Sequence, residues 1–426
     1  MIYPIVLFAA SSLFAILAWR DLRLGLCLLA ASLPTYLLRY DIGPIPMTLL
    51  ETFALILVAV WIYRSIPLGL KPRGLFPQGW SLPIALLLAA ATVGVFVAPD
   101  TLGALGIWKA YFIEPMLVLI VAVNVFGKFK EACLAGRQAR DKNLDGLLMA
   151  IGAGGLFVAL CAIVQALTGW GIPAPWDVEG RAVSIFPYPN AVGLYLAPVI
   201  VIAALQAKRL GGWKALRIGW IVTAIASLIA IVLSQSEAAI VAVVATLLIA
   251  GVAAKRSRKI AVTVTLLVAI MAIASPSLRA KLTFDDYSGQ VRRSQWSETI
   301  VMLKDHAILG AGLNGYPAAM EPYHADLQYE IFQYPHTVVL NVWTELGLLG
   351  LLAFALLAFA VCRDIRPTLR SAGSPPMTIA FFALLAMTIH GLADVPFFKN
   401  DLAMMTALLL AVIAASSYAS IHGKQI

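Results

Sequence analysis

The chain is a succession of apolar runs, at residues 3–19, 24–38, 47–63, 82–98, 111–126, 146–168, 191–206, 216–233, 237–254, 259–275, 337–361, 377–393 and 401–418. Most approach the roughly 20 residues that a helix needs to cross a bilayer. Backbone N–H and C=O groups find no water in hydrocarbon, so only helices or closed barrels can span it, and these runs exceed the length of a barrel strand. An all-α polytopic membrane protein is therefore expected. The bulk composition agrees, with 61% hydrophobic and 12% charged residues and a mean hydropathy of +0.89.

The net charge of +9 does not point to nucleic acid, because the basic residues fall in short stretches between apolar runs. Lys128, Lys130, Arg137, Arg140 and Lys142 form one group. Lys208, Arg209, Lys214 and Arg217 form a second, Lys255 to Lys259 a third, and Arg363, Arg366 and Arg370 a fourth. A basic bias of this kind marks the cytoplasmic side. The loop after 168, the turn near Ser236, the segment 276–336 and the turn near Asp394 then face outward. Thirteen crossings place the N-terminus outside. The run 24–38 is short and carries Pro34. Leaving it uncrossed gives about 12 transmembrane helices with both ends cytoplasmic, which is the expectation adopted. The chain divides into an N-terminal transmembrane bundle (1–275), a long outer loop (276–336) and C-terminal transmembrane helices (337–426). Cys27, Cys133, Cys161 and Cys362 are scattered and show neither a disulfide framework nor metal-ligand spacing. The first run is followed by Trp19-Arg20-Asp21, so no cleavable signal peptide is expected.

Two outer loops hold most of the polar interest. Residues 169–190 are rich in Pro and Trp, which suits a structured interfacial segment. The segment 276–336, about 60 residues long, far exceeds an ordinary helix connection and is expected to be functional. Within it, Ser294 to Ala307 reads as an amphipathic helix with Trp296, Ile300 and Leu303 on one face.

This loop ends at Tyr334-Pro335, and His336 stands where the next apolar helix begins. Proline biases the residue before it away from helical geometry, which places the junction there. An imidazole at a water–membrane boundary is a natural proton acceptor. Arg181, Arg292 and Arg293 lie on the same outer side. Arginine grips phosphate oxygens in a bidentate fork, so two of them can hold a diphosphate without a metal. The plainer readings are an interfacial anchor for Arg181 and a solvated helix face for one of the other two. Asp394, at the outer end of a late span, can orient a base or pair with an arginine. Glu345 lies inside the span after His336 and reads as a hydrogen-bonding support, while Gly347 and Gly350 permit close packing. Glu114 and Lys109 read as an ion pair. His306, His324, His390 and His422 have no evident partners. Asp285-Asp286 is not a spaced acidic pair for a metal–nucleotide, no Gly-rich phosphate loop occurs, and no His/Cys cluster has ligand spacing. No metal and no cofactor are expected, and a donor should arrive already activated and lipid-linked.

Taken together, these residues resemble the O-antigen ligase/polymerase superfamily of bacterial inner-membrane glycosyltransferases. The family's His at the end of the long periplasmic loop, followed by Leu and then Glu-x-Gly-x-x-Gly, is matched by His336, Leu340, Glu345, Gly347 and Gly350. Its Arg, Trp and Gly-x-Gly elements are matched by Arg292, Trp296 and Gly310-Ala311-Gly312, and its Arg ahead of Pro-Asn by Arg181 and Pro189-Asn190. The chain departs from the pattern at Thr337, where many members have Asn. It departs again at Ser234-Gln235-Ser236-Glu237, where a Ser-Arg pair is usual. The resemblance implies a GT-C-like fold in the Gram-negative inner membrane with a periplasmic active site. It implies Arg181 and Arg292 (or its neighbour Arg293) on the pyrophosphate of an undecaprenyl-linked glycan, and His336 activating the acceptor hydroxyl. Asp394 and Glu345 are supporting residues. The chain ends soon after its last span, which favours the ligase that moves O-antigen onto lipid A–core oligosaccharide. An O-antigen polymerase or a protein O-oligosaccharyltransferase has similar parts. A lipid-linked glycan flippase is the reading from another class, and it predicts charges lining a central path.

Overall fold

A computed structural model describes residues 2–43, 45–65, 76–127, 134–212, 214–254, 257–275, 283–371 and 374–422. Among the described residues, 78% are helical. The helices are α1 (Ile2–Arg20), α2 (Leu22–Ala31), α3 (Leu49–Ser65), α4 (Ser81–Val97), α5 (Thr101–Gly127), α6 (Leu134–Thr168) and α7 (Pro189–Arg209). They continue with α8 (Ala215–Leu233), α9 (Glu237–Ala253), α10 (Arg258–Ala274), α11 (Tyr287–Asp305), α12 (Val338–Ser371), α13 (Pro375–His390) and α14 (Asn400–His422). Among the described residues, 7 helices are long and apolar enough to cross a membrane, and shorter apolar helices such as α4, α9 and α13 stand beside them. An all-α polytopic membrane protein is what the chain builds. A small antiparallel hairpin, β1 (Arg39–Ile42) with β2 (Ile45–Thr48), is its one sheet among these residues.

Helices α7 and α14 are the most enclosed. Ala191 to Ala203 and Leu402 to Leu409 are almost wholly buried, whereas Ile5 and Phe8 of α1 and Val222 and Ile225 of α8 turn apolar side chains outward. Apolar residues on every side of a helix are the mark of a membrane segment. The basic ends share one face. Arg209 pairs with Asp145 at 2.6 Å, Lys208 reaches Ser257, Ser374 bonds Asp141, and Trp80 Nε1 donates to Asp364 beside Arg363. Arg140 and Lys142 lie on the first turns of α6 and not in a loop. Lys128, Lys130, Cys133, Lys255 and Arg256 lie outside the described residues, as does 276–282 of the long loop.

The N-terminus corrects one expectation. The Tyr3 hydroxyl donates to the Arg39 carbonyl at 2.9 Å, at the face of the outer loops, while Trp19 meets Tyr63 and Arg64 at the basic face. Because α14 starts at the loop face and ends at the basic one, the two ends of the described chain lie on opposite faces. The reason is the weak run: α2 has 10 residues and is followed by a 3₁₀ turn of 5 residues (Leu33–Leu37). At about 1.5 and 2.0 Å of rise per residue, the two together climb about 25 Å, enough to carry the chain back to the loop face.

Helix α12 is broken at Gly347 (φ 63°, ψ −168°). Into the break passes the loop that carries Gly310 and Gly312. Ala311 N donates to Thr344 O at 2.6 Å, Leu348 N to Ile308 O at 3.0 Å, and Leu313 N to Gly94 O at 3.0 Å. The carbonyls and amides freed by the break are thus used by an irregular segment buried in protein, the condition for such backbone at membrane depth. Here the glycines of the two motifs explain one another. A methyl group at position 347 meets the Ile308 carbonyl and lies 2.9 Å from Leu309 Cα, on a backbone that L-residues rarely adopt. Gly347→Ala is therefore expected to destabilise by about 1–3 kcal/mol, read as a lowered apparent Tm in detergent; an unchanged Tm contradicts the break.

Candidate active site

The first outer loop is fixed from below by Gln165 near the end of α6. Its Oε1 accepts from Val183 N and Ser184 N, both at 2.8 Å, and its Nε2 donates to Gly171 O and Ser184 O. A short helix, Trp176–Glu179, ends at left-handed Gly180, and Arg181 follows. Arg181 Nε donates to Ser234 O at 3.2 Å and Nη2 to Asn190 Oδ1 at 3.2 Å. Glu179 lies 3.4 Å from Nη1, and the guanidinium lies over the Trp176 ring. The 234–237 turn, which lacks an arginine of its own, is met by one from a neighbouring loop.

The second loop supplies α11. Its buried side carries Gln295, Thr299, Met302 and Leu303, with Trp296 half-buried; Ile300, expected on that face, is 51% exposed. Gln295 Nε2 donates to Tyr334 O at 2.9 Å and Trp296 Nε1 to Pro335 O at 2.8 Å. On the other side Val338 N donates to Gly391 O at 2.7 Å. Clamped from both sides, His336 sits just before α12 in the left-handed region at φ 45°. A non-glycine residue held there marks a place where surrounding structure over-determines the backbone, as functional sites do. The rings of Phe332 and Tyr334 stand edge-on to the imidazole, each with its centroid 5.0 Å away.

Asp394 lies in the turn between α13 and α14, with Oδ1 3.6 Å from His336 Nδ1. That is ion-pair reach, just beyond hydrogen-bond length. Burial is the largest influence and raises the Asp394 pKa, but His336, His390 and the hydrogen bond from Val395 N together outweigh it and hold the carboxyl below its ordinary value. Glu345 Oε2 accepts from Asn314 N at 3.0 Å and so ties α12 to the inserted loop.

Arg181, His336, Glu345 and Asp394 all line one cavity of about 900 Å³, open to the loop face. Pockets for small ligands run to about 1,000 Å³, so this one suits a bulky polar substrate. Arg292 and Arg293, expected beside a donor, are not among the residues that line this cavity. The geometry of α11 turns Arg292 toward protein groups: Nε donates to Ala393 O at 3.1 Å and Nη1 to Ser288 Oγ at 2.7 Å. Arg293 points outward and pairs with Asp285 at 2.9 Å, both side chains 58% exposed. Arg292→Ala is expected to lower activity on the order of 10–100-fold by loosening the Asp394 turn. Arg293→Ala is expected to stay within about twofold, since exposed pairs contribute little. Equal losses in the two variants contradict this division.

Sequence reading missed several lining residues. Lys109 lies on a π-helical stretch, Trp108–Ile113, and pairs with Glu51 at 3.4 Å instead of with Glu114. Glu114 is buried and accepts no hydrogen bond from the described protein groups. Arg39, Asn341 and Lys399 also line the cavity. Lys399 was visible only as one charge in F-F-K-N-D at the mouth of α14. His324 does have a partner: Nδ1 lies 3.1 Å from Glu298, which also accepts from Ala325 N and Asp326 N. Among the described residues, no cluster of three His, Cys, Asp or Glu side chains is placed to hold a metal.

Comparison with protein-family models matches residues 222–355 to the O-antigen ligase family. The match supports kinship with the O-antigen ligase/polymerase superfamily over that stretch, which is less than half of the chain. No curated protein matches it. The stretch matched to the O-antigen ligase family contains α11, the inserted glycine loop, His336 and Glu345. Arg181 and Asp394 lie outside it, brought to the same cavity by the fold. The match supports an O-antigen ligase-family function, and the apolar helices place it at a membrane.

Proposed function

We propose that this protein is an O-antigen ligase, which transfers O-antigen polysaccharide en bloc from undecaprenyl pyrophosphate to lipid A–core oligosaccharide at the periplasmic face of the inner membrane. The acceptor hydroxyl loses its proton to His336 as its oxygen attacks the anomeric carbon. The bond from that carbon to the diphosphate oxygen breaks, with inversion, and the electron pair leaves on undecaprenyl diphosphate. Arg181 meets the charge that develops on the leaving group, a role that preorganised donors perform well in a site with little water. Asp394 orients the imidazole and stabilises the imidazolium, as the third member of a nucleophile–base–orienter set does. Arg292 acts through the Ala393–Asp394 turn as a positioning residue, and Glu345 holds the inserted loop. No metal and no cofactor take part.

The observation that supports this reading is a guanidinium and a carboxylate-backed imidazole, from separate outer loops, on one cavity. Such a cluster at one face fits group transfer better than a flippase. Deletion of the gene separates ligase from polymerase. Loss of long-chain lipopolysaccharide with accumulation of lipid-linked polymer is expected. A single repeat retained on the core identifies a polymerase instead.

A further inference from the structure

We propose that Lys399 is a second cation for the diphosphate of the donor, beside Arg181, mounted on aromatic rings instead of on a carboxylate. The inference rests on the donor reading above and deepens it.

Lys399 lies between Asp394 and α14 on the wall of the cavity that holds Arg181 and His336. Its ammonium stands over three rings, 4.6 Å from the centroid of Phe186, 5.2 Å from Tyr188 and 5.3 Å from Tyr36. The rings come from two distant segments: Phe186 and Tyr188 from the first outer loop, Tyr36 from the 3₁₀ turn before the hairpin. Tyr188 and Tyr36 line the cavity too, so the cage opens onto it. Tyr188 also reaches Tyr334, two residues before His336, with the hydroxyls 3.4 Å apart.

Among the described residues, no ion pair or hydrogen bond involves this ammonium, in contrast to Lys109 with Glu51. Burial lowers its pKa below the usual lysine value, while Asp401 and Asp394 oppose that shift and favour the charged form. An aromatic face attracts a cation without cancelling its net charge. A lysine so held keeps its point charge for an incoming anion, and phosphate oxygens are its usual partner. The distribution of cations gives this a purpose. Arg181 is partly occupied by Glu179, Asn190 and Ser234, and Arg292 is committed to Ala393 and Ser288. A diphosphate carries more negative charge than one partly occupied guanidinium offsets.

Equilibrium binding of inorganic pyrophosphate and of farnesyl diphosphate to the purified full chain in detergent tests the assignment. Lys399→Met is expected to weaken binding of both at least tenfold and to raise the donor KM by a similar factor. Lys399→Arg, which keeps a cation over the rings, is expected to stay within threefold. Labelling gives a reading without a variant: farnesyl diphosphate is expected to slow acylation of Lys399 in the wild-type protein. Lys399→Met that binds both ligands like the wild type, with only its thermal stability reduced, makes the lysine a tether for the rings and overturns the proposal. Weakening confined to pyrophosphate also overturns it, because the lipid headgroup is then held elsewhere. A wild-type protein that neither binds farnesyl diphosphate nor transfers glycan brings down the donor reading itself, an outcome distinct from the first two.

Discussion

Replacing His336 by alanine is expected to lower glycosyl transfer by about 10²–10⁴-fold, the range that a positioned general base contributes, while leaving the protein folded and inserted. The case rests on how the residue is held. Its carbonyl neighbours are gripped by Gln295 and Trp296, and the Val338 amide, two residues on, donates to Gly391 O. None of these bonds uses the imidazole, so truncation removes the base and spares the clamp. His336→Asn is the better companion variant, because asparagine tolerates the left-handed backbone that alanine disfavours. Both are expected to be inactive, with the asparagine variant closer to wild-type stability. Activity retained in the asparagine variant removes His336 as the base.

Arg181→Ala is expected to lower kcat/KM for the donor by about 10²–10³-fold, comparable to deleting one donor from a preorganised anion site. The guanidinium is fixed before any substrate arrives, by Ser234 O, Asn190 Oδ1 and the Trp176 ring. Such a group stabilises developing charge with little reorganisation. Lysine at 181 can make neither the fork nor the planar stack, so Arg181→Lys is expected to recover little. Arg181→Ala also leaves the Ser234 carbonyl without its partner, and a melting curve separates that effect from catalysis. A variant with a wild-type donor KM and kcat shows that Arg181 serves only to tie the loop to the 234–237 turn.

What the sequence made legible is what is local in it. The apolar runs, the Pro-His junction and the Glu-x-Gly spacing each fall within a few residues, so period and turn chemistry suffice to read them. The purpose of Gly347 was not legible, because the loop it admits begins almost forty residues earlier and the break appears only when Ile308 is packed into it. Lys109 was assigned to Glu114 on sequence proximity, yet its partner Glu51 comes from another helix. The partner of Arg292 was not legible for a similar reason: Ala393 lies 101 residues away. Lys399 shows the limit most plainly, since an aromatic cage drawn from two other segments leaves no pattern around the lysine itself. The hairpin after the 3₁₀ turn fills the stretch between the runs 24–38 and 47–63, where Gly43, left-handed in the fold, was a turn signal that went unread.

The most direct measurement is transfer in a purified system: the protein, a defined undecaprenyl-pyrophosphate glycan, lipid A–core and an excess of chelator. A new glycosidic bond with inverted anomeric configuration, formed at the same rate with and without chelator, is the predicted result. Loss of the reaction on chelation, or a product of retained configuration, contradicts single displacement by an acceptor that His336 deprotonates against an arginine-held leaving group.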